Sequence, residues 1–402
     1  MSALIFCSFE VGGLPFRYAE TLNRLGIPTF YVSLATGAAG HNSTGFHYGG
    51  RSHPWDLSEE CRFHKKADVI SGLRRLKDKY GIEACFATGH LSYLLDKAGL
   101  RYKYWCYGSD LDQLCFFPHP PAGADFFKPK SWKDFLYCAL ARPKARAAIC
   151  RADAVIAAPY QEAALNDVCP RIPRFFLPHL IATQPFEQVW HAKKAARQSL
   201  RQQHQAENLF FSSVRHYWEG VRAHDSDNKG NNKVLEAFAH YLRLSGHGRD
   251  KLILVAKGPD VAASQAMAES LGLMDHVVWQ GEMPREQLAT LYSGATLCLG
   301  QFGTPVLTYA ALEPLASGTP CASYYMDRAP SPAGFYEKLP PIWNSKEPNE
   351  IAEVMVNVAE TPEDEYKTLC ASSWQWIYDN CSEVTFARSF AAEFHSSVGK
   401  SG

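Results

Sequence analysis

Residues 277–323 read VVWQGEMPREQLATLYSGATLCLGQFGTPVLTYAALEPLASGTPCAS, and this stretch decides the fold. The apolar runs Val277–Trp279 and Thr296–Leu299 read as buried strands, each followed by a polar turn and a segment with helical spacing. The same unit occurs twice upstream, beginning at Leu209–Val214 and at Lys251–Ala256. Repeated alternation of strand, turn and amphipathic helix predicts a parallel sheet with helices on both faces. Arg215, Lys257-Gly258, Gly281-Glu282 and Gly300 each come directly after a strand, at its carboxyl end. In open α/β sheets that edge is where ligands bind.

After the last of these strands, Gln301–Thr308 reads as a loop and Tyr309–Ser317 as a helix. Gly318-Thr319-Pro320 ends it, with a glycine suited to the left-handed position and a proline that cannot continue. The string LEPLASGTP, with VVWQGEMPREQLATLYSGATLCLG ahead of it, resembles the donor-binding half of GT-B glycosyltransferases, specifically the retaining enzymes of family 4. The resemblance extends over most of the chain and is most specific in the second half. It implies an α/β chain of GT-B architecture: two Rossmann-like domains whose parallel sheets face each other across a cleft.

The bulk properties agree with two soluble domains. A length of 402 residues is enough for two cores. Lys plus Arg number 41 and Asp plus Glu 41, so no net field is available to bind nucleic acid over a broad surface. No apolar run approaches membrane-spanning length. The start, MSALIFCSFEVGG, lacks a basic region and a cleavage site, and reads as a first core strand. Twelve cysteines occur without a C-x-x-C pair, and Cys7, Cys85, Cys298 and Cys321 fall inside apolar strands. They read as buried reduced thiols of a cytoplasmic protein.

The first half opens with strand Ala3–Phe9, a loop at Gly12-Gly13, a helix over Phe16–Leu25 and strand Thr29–Ser33. Further strands are predicted at Ala84–Thr88, Tyr102–Tyr107 and Ala154–Ala157, with Phe175–Pro178 the last before the second half. A helix is expected over Phe186–Glu207 and another over Thr385–His395, which the resemblance returns to the first domain. The domains are therefore expected at 1–181 and 182–380, with 381–402 crossing back.

The chemistry follows from the resemblance and from charge. Breaking the bond between a sugar and a nucleotide diphosphate builds negative charge on the leaving group, which fixed cations or helix N-termini stabilise. Arg215 and Lys229 match the family's diphosphate-binding cations, and an intervening loop longer than usual adds Arg222 and His224. Glu313 matches the acidic position that binds the donor ribose. Its neighbours Ala311, Leu312, Leu315 and Ala316 are apolar or small, where an unpaired carboxylate is unexpected. Gly281, Glu282 and Met283 would line the base. Gly258 and the amides of Val306, Leu307 and Thr308 would approach the phosphates. Gly12 and Gly13 would meet the donor phosphates or the acceptor from the first domain, and Asp110 in WCYGSDLDQL would orient sugar or acceptor hydroxyls. The sequence departs from the family pattern twice: Pro305 stands where a second Glu is usual, and Tyr107 where a His is usual.

These residues imply a metal-independent enzyme without a cofactor, whose donor is a UDP or GDP sugar and whose acceptor is a glycan or lipid-linked saccharide. A non-catalytic GT-B protein that binds a nucleotide or glycan as a scaffold is the alternative. Asp110-Leu111-Asp112 has the form of a metal-binding D-x-D, but such pairs arise often by chance and Asp225-Ser226-Asp227 is another. Residues 115–137 carry Phe116, Phe117, Phe126, Phe127, Trp132, Phe135 and Tyr137 among Lys128, Lys130 and Lys133. That mixture suits either peripheral contact with the inner face of a membrane or core packing under an acceptor loop.

Overall fold

Phe210 and Phe211 are consecutive in one strand and bury against opposite helix layers. This is the period of two in a strand covered on both faces. The computed structural model describes residues 2–7, 14–34, 53–58, 60, 66–106, 111, 115, 129–157, 161–219, 228–325, 336 and 338–398. Two units form, one from Met1–Pro178 with Phe386–Gly402 and the other from His179–Thr385.

The second unit holds a parallel sheet of β7 (Leu209–Ser212), β8 (Lys251–Val255), β9 (Val277–Gln280), β10 (Leu297–Leu299), β11 (Cys321–Ser323) and β12 (Ile342–Asn344). Its spatial order is β12-β11-β10-β7-β8-β9. The register sets Leu297, Phe210, Leu252 and Val277 in one row. That row packs under the helices Asn231–Ser245 and Pro348–Ala359. The offset row of Cys321, Cys298, Phe211 and Ile253 faces the helices Arg285–Gly294 and Tyr309–Ala316. Continuous apolar runs therefore serve two cores at once, which explains why these strands do not alternate apolar with polar residues. Order reverses at β7: the chain steps to β8 and β9 on one side, then returns to β10 on the other.

The first unit repeats the plan with β1 (Ser2–Cys7), β2 (Thr29–Ser33), β3 (Ile82–Thr88), β4 (Tyr102–Trp105), β5 (Ala154–Ile156) and β6 (Arg174–Phe175), in order β2-β1-β3-β4-β5-β6. Phe386, Phe390 and Glu393 of the last helix pack on this sheet. Phe386 stacks on Tyr18 at 4.9 Å, and Phe390 meets Phe86 at 4.3 Å. Lys103 donates to the Glu393 carbonyl at 2.5 Å.

Several segments are shorter than their residue types predict, two of them for evident reasons. The strand read at Phe175–Pro178 spans only Arg174–Phe175, since Pro178 has no N–H to extend a ladder. The helix from Phe186 stops at His204, where Gln205 takes a left-handed conformation with φ 51°. Cys7, Cys85, Cys298 and Cys321 are buried and unbridged, and burial pushes the Cys298 thiol up to about 12. No helix among the described residues is long and apolar enough to cross a membrane.

Lys193 is fully buried in the helix Phe186–His204. Its ammonium donates to the carbonyls of Ser293 and Ala295, both at 3.1 Å, and to Thr319 Oγ1 at 2.7 Å. Three acceptors match its three donors, while burial lowers its pKa to about 8. This cation ties together the ends of the two helices that flank β10.

Candidate functional site

In open α/β sheets ligands bind at the carboxyl edge where strand order reverses, and here that point is between β7 and β10. The residues leaving β7 run Ser213-Val214-Arg215-His216. Arg215 is exposed, with its guanidinium 5.6 Å over the Tyr217 ring. The loop that carries it is anchored at several points. The His216 amide donates to the Lys257 carbonyl at 2.6 Å, and the Asp260 amide returns a bond to the His216 carbonyl at 3.1 Å. Asp260 Oδ2 accepts the amides of Trp218 and Glu219 at 2.6 and 2.9 Å. The His216 ring is buried, with Nδ1 2.8 Å from Ser264 Oγ. Burial lowers its pKa to about 4.

Gly258 has φ +111°, and a Cβ there would fall on the His216 carbonyl. Its bare backbone lets the loops after β7 and β8 touch, a close approach that only glycine permits.

Lys229 is half-buried and belongs to the same assembly. Its amide donates to the Tyr217 carbonyl at 2.8 Å, and its carbonyl accepts from Phe302 at 3.0 Å. Gly230 follows in the left-handed region at φ +68° and begins the helix Asn231–Ser245. It lies against Gly303, and Thr304 Oγ1 donates to the Asn228 carbonyl at 2.9 Å. The loops that leave β7 and β10 are therefore joined edge to edge.

Gln301, buried at the end of β10, shapes the loop that follows. Its side-chain amide donates to the Thr304 carbonyl at 2.9 Å and to that of Val306 at 3.4 Å. The Val306 amide is taken up by the Thr304 carbonyl at 2.8 Å. Those of Leu307 and Thr308 precede the helix Tyr309–Ala316.

Glu313 lies on that helix and is mostly buried. Its Oε1 is 2.5 Å from Nη1 of Arg285, and its Oε2 accepts from the Tyr292 hydroxyl at 3.3 Å. Tyr292 Oη is also 2.7 Å from Ser213 Oγ, two residues ahead of Arg215. Burial, then the Glu313 charge, raises the Tyr292 phenol well above its ordinary pKa. It is a protonated donor at neutral pH. At the end of β9, Gly281 and Glu282 are exposed, and Glu282 pairs with Lys257 at 2.5 Å. The Met283 side chain is buried in the apolar core.

The structure thus brings Arg215, Lys229, Gly258 and Val306–Thr308 to loops and helix starts on one sheet edge, with Glu313 within the helix that follows Thr308 and Gly281 and Glu282 beyond β8. Gly12, Gly13, Tyr107, Asp110 and Asp112 lie outside the described residues, as do Arg222, His224 and Asp225–Asp227. Sequence reading passed over Gln301, His216, Arg285, Tyr292 and Ser213. Gln301 and His216 carried a local signal, each a polar side chain two residues past a buried strand. The others gain their roles from segments distant in sequence.

Residues 223–331 match the family model for glycosyl transferases group 1. No curated protein matches the chain. Solved structures match over nearly its whole length. HepE from Anabaena in complex with UDP-glucose aligns at TM-score 0.63 and 14% identity, over 98% of this chain and 99% of that one. Sucrose-phosphate synthase from Thermosynechococcus elongatus aligns at TM-score 0.62 and 15% identity, covering 100% of both. WaaG, a glycosyltransferase involved in lipopolysaccharide biosynthesis, aligns at TM-score 0.57 and 17% identity, over 97% of this chain and 98% of WaaG. At these identities the structures speak for the fold, and the family match falls on the unit that carries Lys229, Glu282 and Glu313. Residues 223–331 thus resemble glycosyl transferases group 1, and the chain has the GT-B fold of these structures.

Proposed function

We propose that the protein transfers a sugar from a UDP sugar to a glycan or lipid-linked saccharide, with retention and without a metal ion. One observation supports this most: Arg215 and Lys229 lie with Val306–Thr308 on joined loops at the strand-order reversal. Two cations and a helix start at one sheet edge suit a diphosphate, whose charge grows as the glycosidic bond breaks. Arg offers a planar fork to two phosphate oxygens, and Lys a point charge. Glu313, paired with Arg285, is an acceptor for ribose hydroxyls, while Gly281, Glu282 and the Met283 backbone line the base. The choice of UDP over GDP draws on HepE, whose structures hold UDP and UDP-glucose.

Gly12 and Gly13 on the donor and Asp110 on sugar or acceptor hydroxyls complete the reading, on the strength of the family resemblance. So does a division of labour between domains near residues 1–181 and 182–380, with 381–402 returning to the first. A cytoplasmic location is in keeping with the buried, unbridged cysteines, and peripheral contact at anionic lipid through 115–137 is supported by exposed Leu136 and Tyr137. A nucleotide-binding scaffold is the second reading, favoured by Pro305 at a position where the family usually carries Glu.

The test is release of UDP from UDP-glucose and related UDP sugars, with and without acceptor saccharides, in the presence of EDTA. Release that survives chelation supports the proposal. Tight UDP binding with no release from any donor supports the scaffold. Release that is lost in EDTA and restored by Mn²⁺ overturns the metal-independent mechanism.

A further inference from the structure

A carboxylate recognises a diol well only if its plane is fixed before the ligand arrives, because ordering a free Glu side chain costs conformational entropy. Glu313 is fixed in this way. Arg285 holds Oε1 through a charge-assisted bond of 2.5 Å, and the Tyr292 hydroxyl holds Oε2 at 3.3 Å. Neither partner comes from the helix that carries Glu313. Both lie on the preceding helix, Arg285–Gly294, with Arg285 at its first residue and Tyr292 near its end.

Tyr292 is itself held at two points. Its hydroxyl meets Ser213 Oγ at 2.7 Å, at the carboxyl end of β7. Its carbonyl accepts from Thr319 Oγ1 at 2.6 Å, and Thr319 in turn accepts from buried Lys193 at 2.7 Å. The phenol is almost fully buried. It cannot swing away from Glu313 without breaking contacts in three segments.

We infer that Arg285 and Tyr292 are positioning residues that set the Glu313 carboxylate to accept the vicinal hydroxyls of a nucleotide ribose, and so give the site its preference for ribonucleotides over deoxyribonucleotides. This rests on the reading of Glu313 as the ribose ligand. An ionised carboxylate only accepts hydrogen bonds. It therefore favours a sugar that presents hydroxyl donors, and a hydrogen atom in their place leaves the charge unmatched. The discrimination lies in orientation: Arg285 touches the carboxylate, and the carboxylate touches the sugar. The Ser213 link also ties the ribose ligand to the segment bearing Arg215, so ribose and diphosphate contacts share one frame.

The experiment titrates the intact protein calorimetrically with UDP and with 2′-deoxy-UDP, for the wild type and for Glu313→Gln, Arg285→Met, Arg285→Lys and Tyr292→Phe. The wild type should prefer UDP by about tenfold or more, the scale of a hydrogen bond to a charged group. Arg285→Met and Tyr292→Phe should each reduce that ratio several-fold by weakening UDP alone, leaving 2′-deoxy-UDP within about twofold of wild type. Arg285→Lys should restore part of the ratio. A merely structural role would weaken both nucleotides alike, and that result overturns the inference. So does a ratio abolished by Glu313→Gln but untouched by Arg285→Met and Tyr292→Phe, which leaves the ribose reading standing. A wild type that binds both nucleotides equally, or neither, removes the ribose reading itself. Tyr292→Phe deletes one oxygen, so it keeps the test available if Arg285→Met fails to fold.

Discussion

Gly230→Ala should cost far more than its backbone angle alone explains, and the same helix supplies the control. Gly230 and Gly246 flank the helix Asn231–Ser245, and both have φ +68°. Holding an alanine in the left-handed region costs roughly 1–2 kcal/mol. A Cβ on Gly246 would meet nothing within 4 Å, so Gly246→Ala should cost that amount and no more. A Cβ on Gly230 would lie 2.5 Å from the Gly303 nitrogen and 2.7 Å from the Phe302 carbonyl carbon. These are backbone atoms and cannot swing aside. Relief requires the loops after β7 and β10 to separate, loosening Phe302 N–H to the Lys229 carbonyl and Thr304 Oγ1 to the Asn228 carbonyl. At about 1 kcal/mol for each hydrogen bond, Gly230→Ala should lose roughly 3–4 kcal/mol in total. Urea unfolding of the two variants beside wild type measures the difference, which should be about 2 kcal/mol. UDP affinity should fall in Gly230→Ala and stay unchanged in Gly246→Ala, because only the former displaces Lys229. Equal destabilisation by the two substitutions would refute the edge-to-edge packing of these loops.

Arg215→Ala should slow sugar transfer on the order of 10²–10³-fold with little change in urea midpoint, since the side chain is exposed; near-normal turnover removes it from the site. Buried His216 has a folded pKa of about 4 against an unfolded 6.5, so the unfolded chain binds the extra proton between those values. Stability is full above about pH 6.5 and should fall by on the order of 3 kcal/mol towards pH 4, a dependence that His216→Gln should flatten in urea titrations across that range. Thr319→Val removes one of three acceptors from the Lys193 ammonium and should cost about 2 kcal/mol; unchanged unfolding would show that the lysine does not depend on it. Phe210→Ala, emptying the centre of the sheet, should cost roughly 3–5 kcal/mol by the same measurement.

The residues by themselves determined the layers and the ligand edge. Apolar runs such as Leu209–Val214 and Lys251–Ala256, each followed by helical spacing, allow only strands buried on both faces, hence a parallel sheet with its loops gathered at the carboxyl ends. Arg215, Lys229 and Glu313 were singled out because the family resemblance gives those positions a role, and Arg215 also because it directly follows a strand. Segment ends were less so: the strand before Pro178 and the helix beyond His204 stop earlier than their residue types suggest, because proline lacks a donor and Gln205 turns left-handed. The strand order β12-β11-β10-β7-β8-β9 was invisible locally, since pairing depends on which helix layer each crossover joins. Only that order makes β7 and β10 neighbours and lets Gly230 touch Gly303 across 73 positions of chain. The same holds for the partners of Glu313. Arg285 and Tyr292 stand 28 and 21 residues away and have no periodic relation to it. They meet the carboxylate because two crossover helices pack side by side on one sheet face, and a hydrogen bond forms between groups that folding brings to within about 3 Å, whatever their separation along the chain.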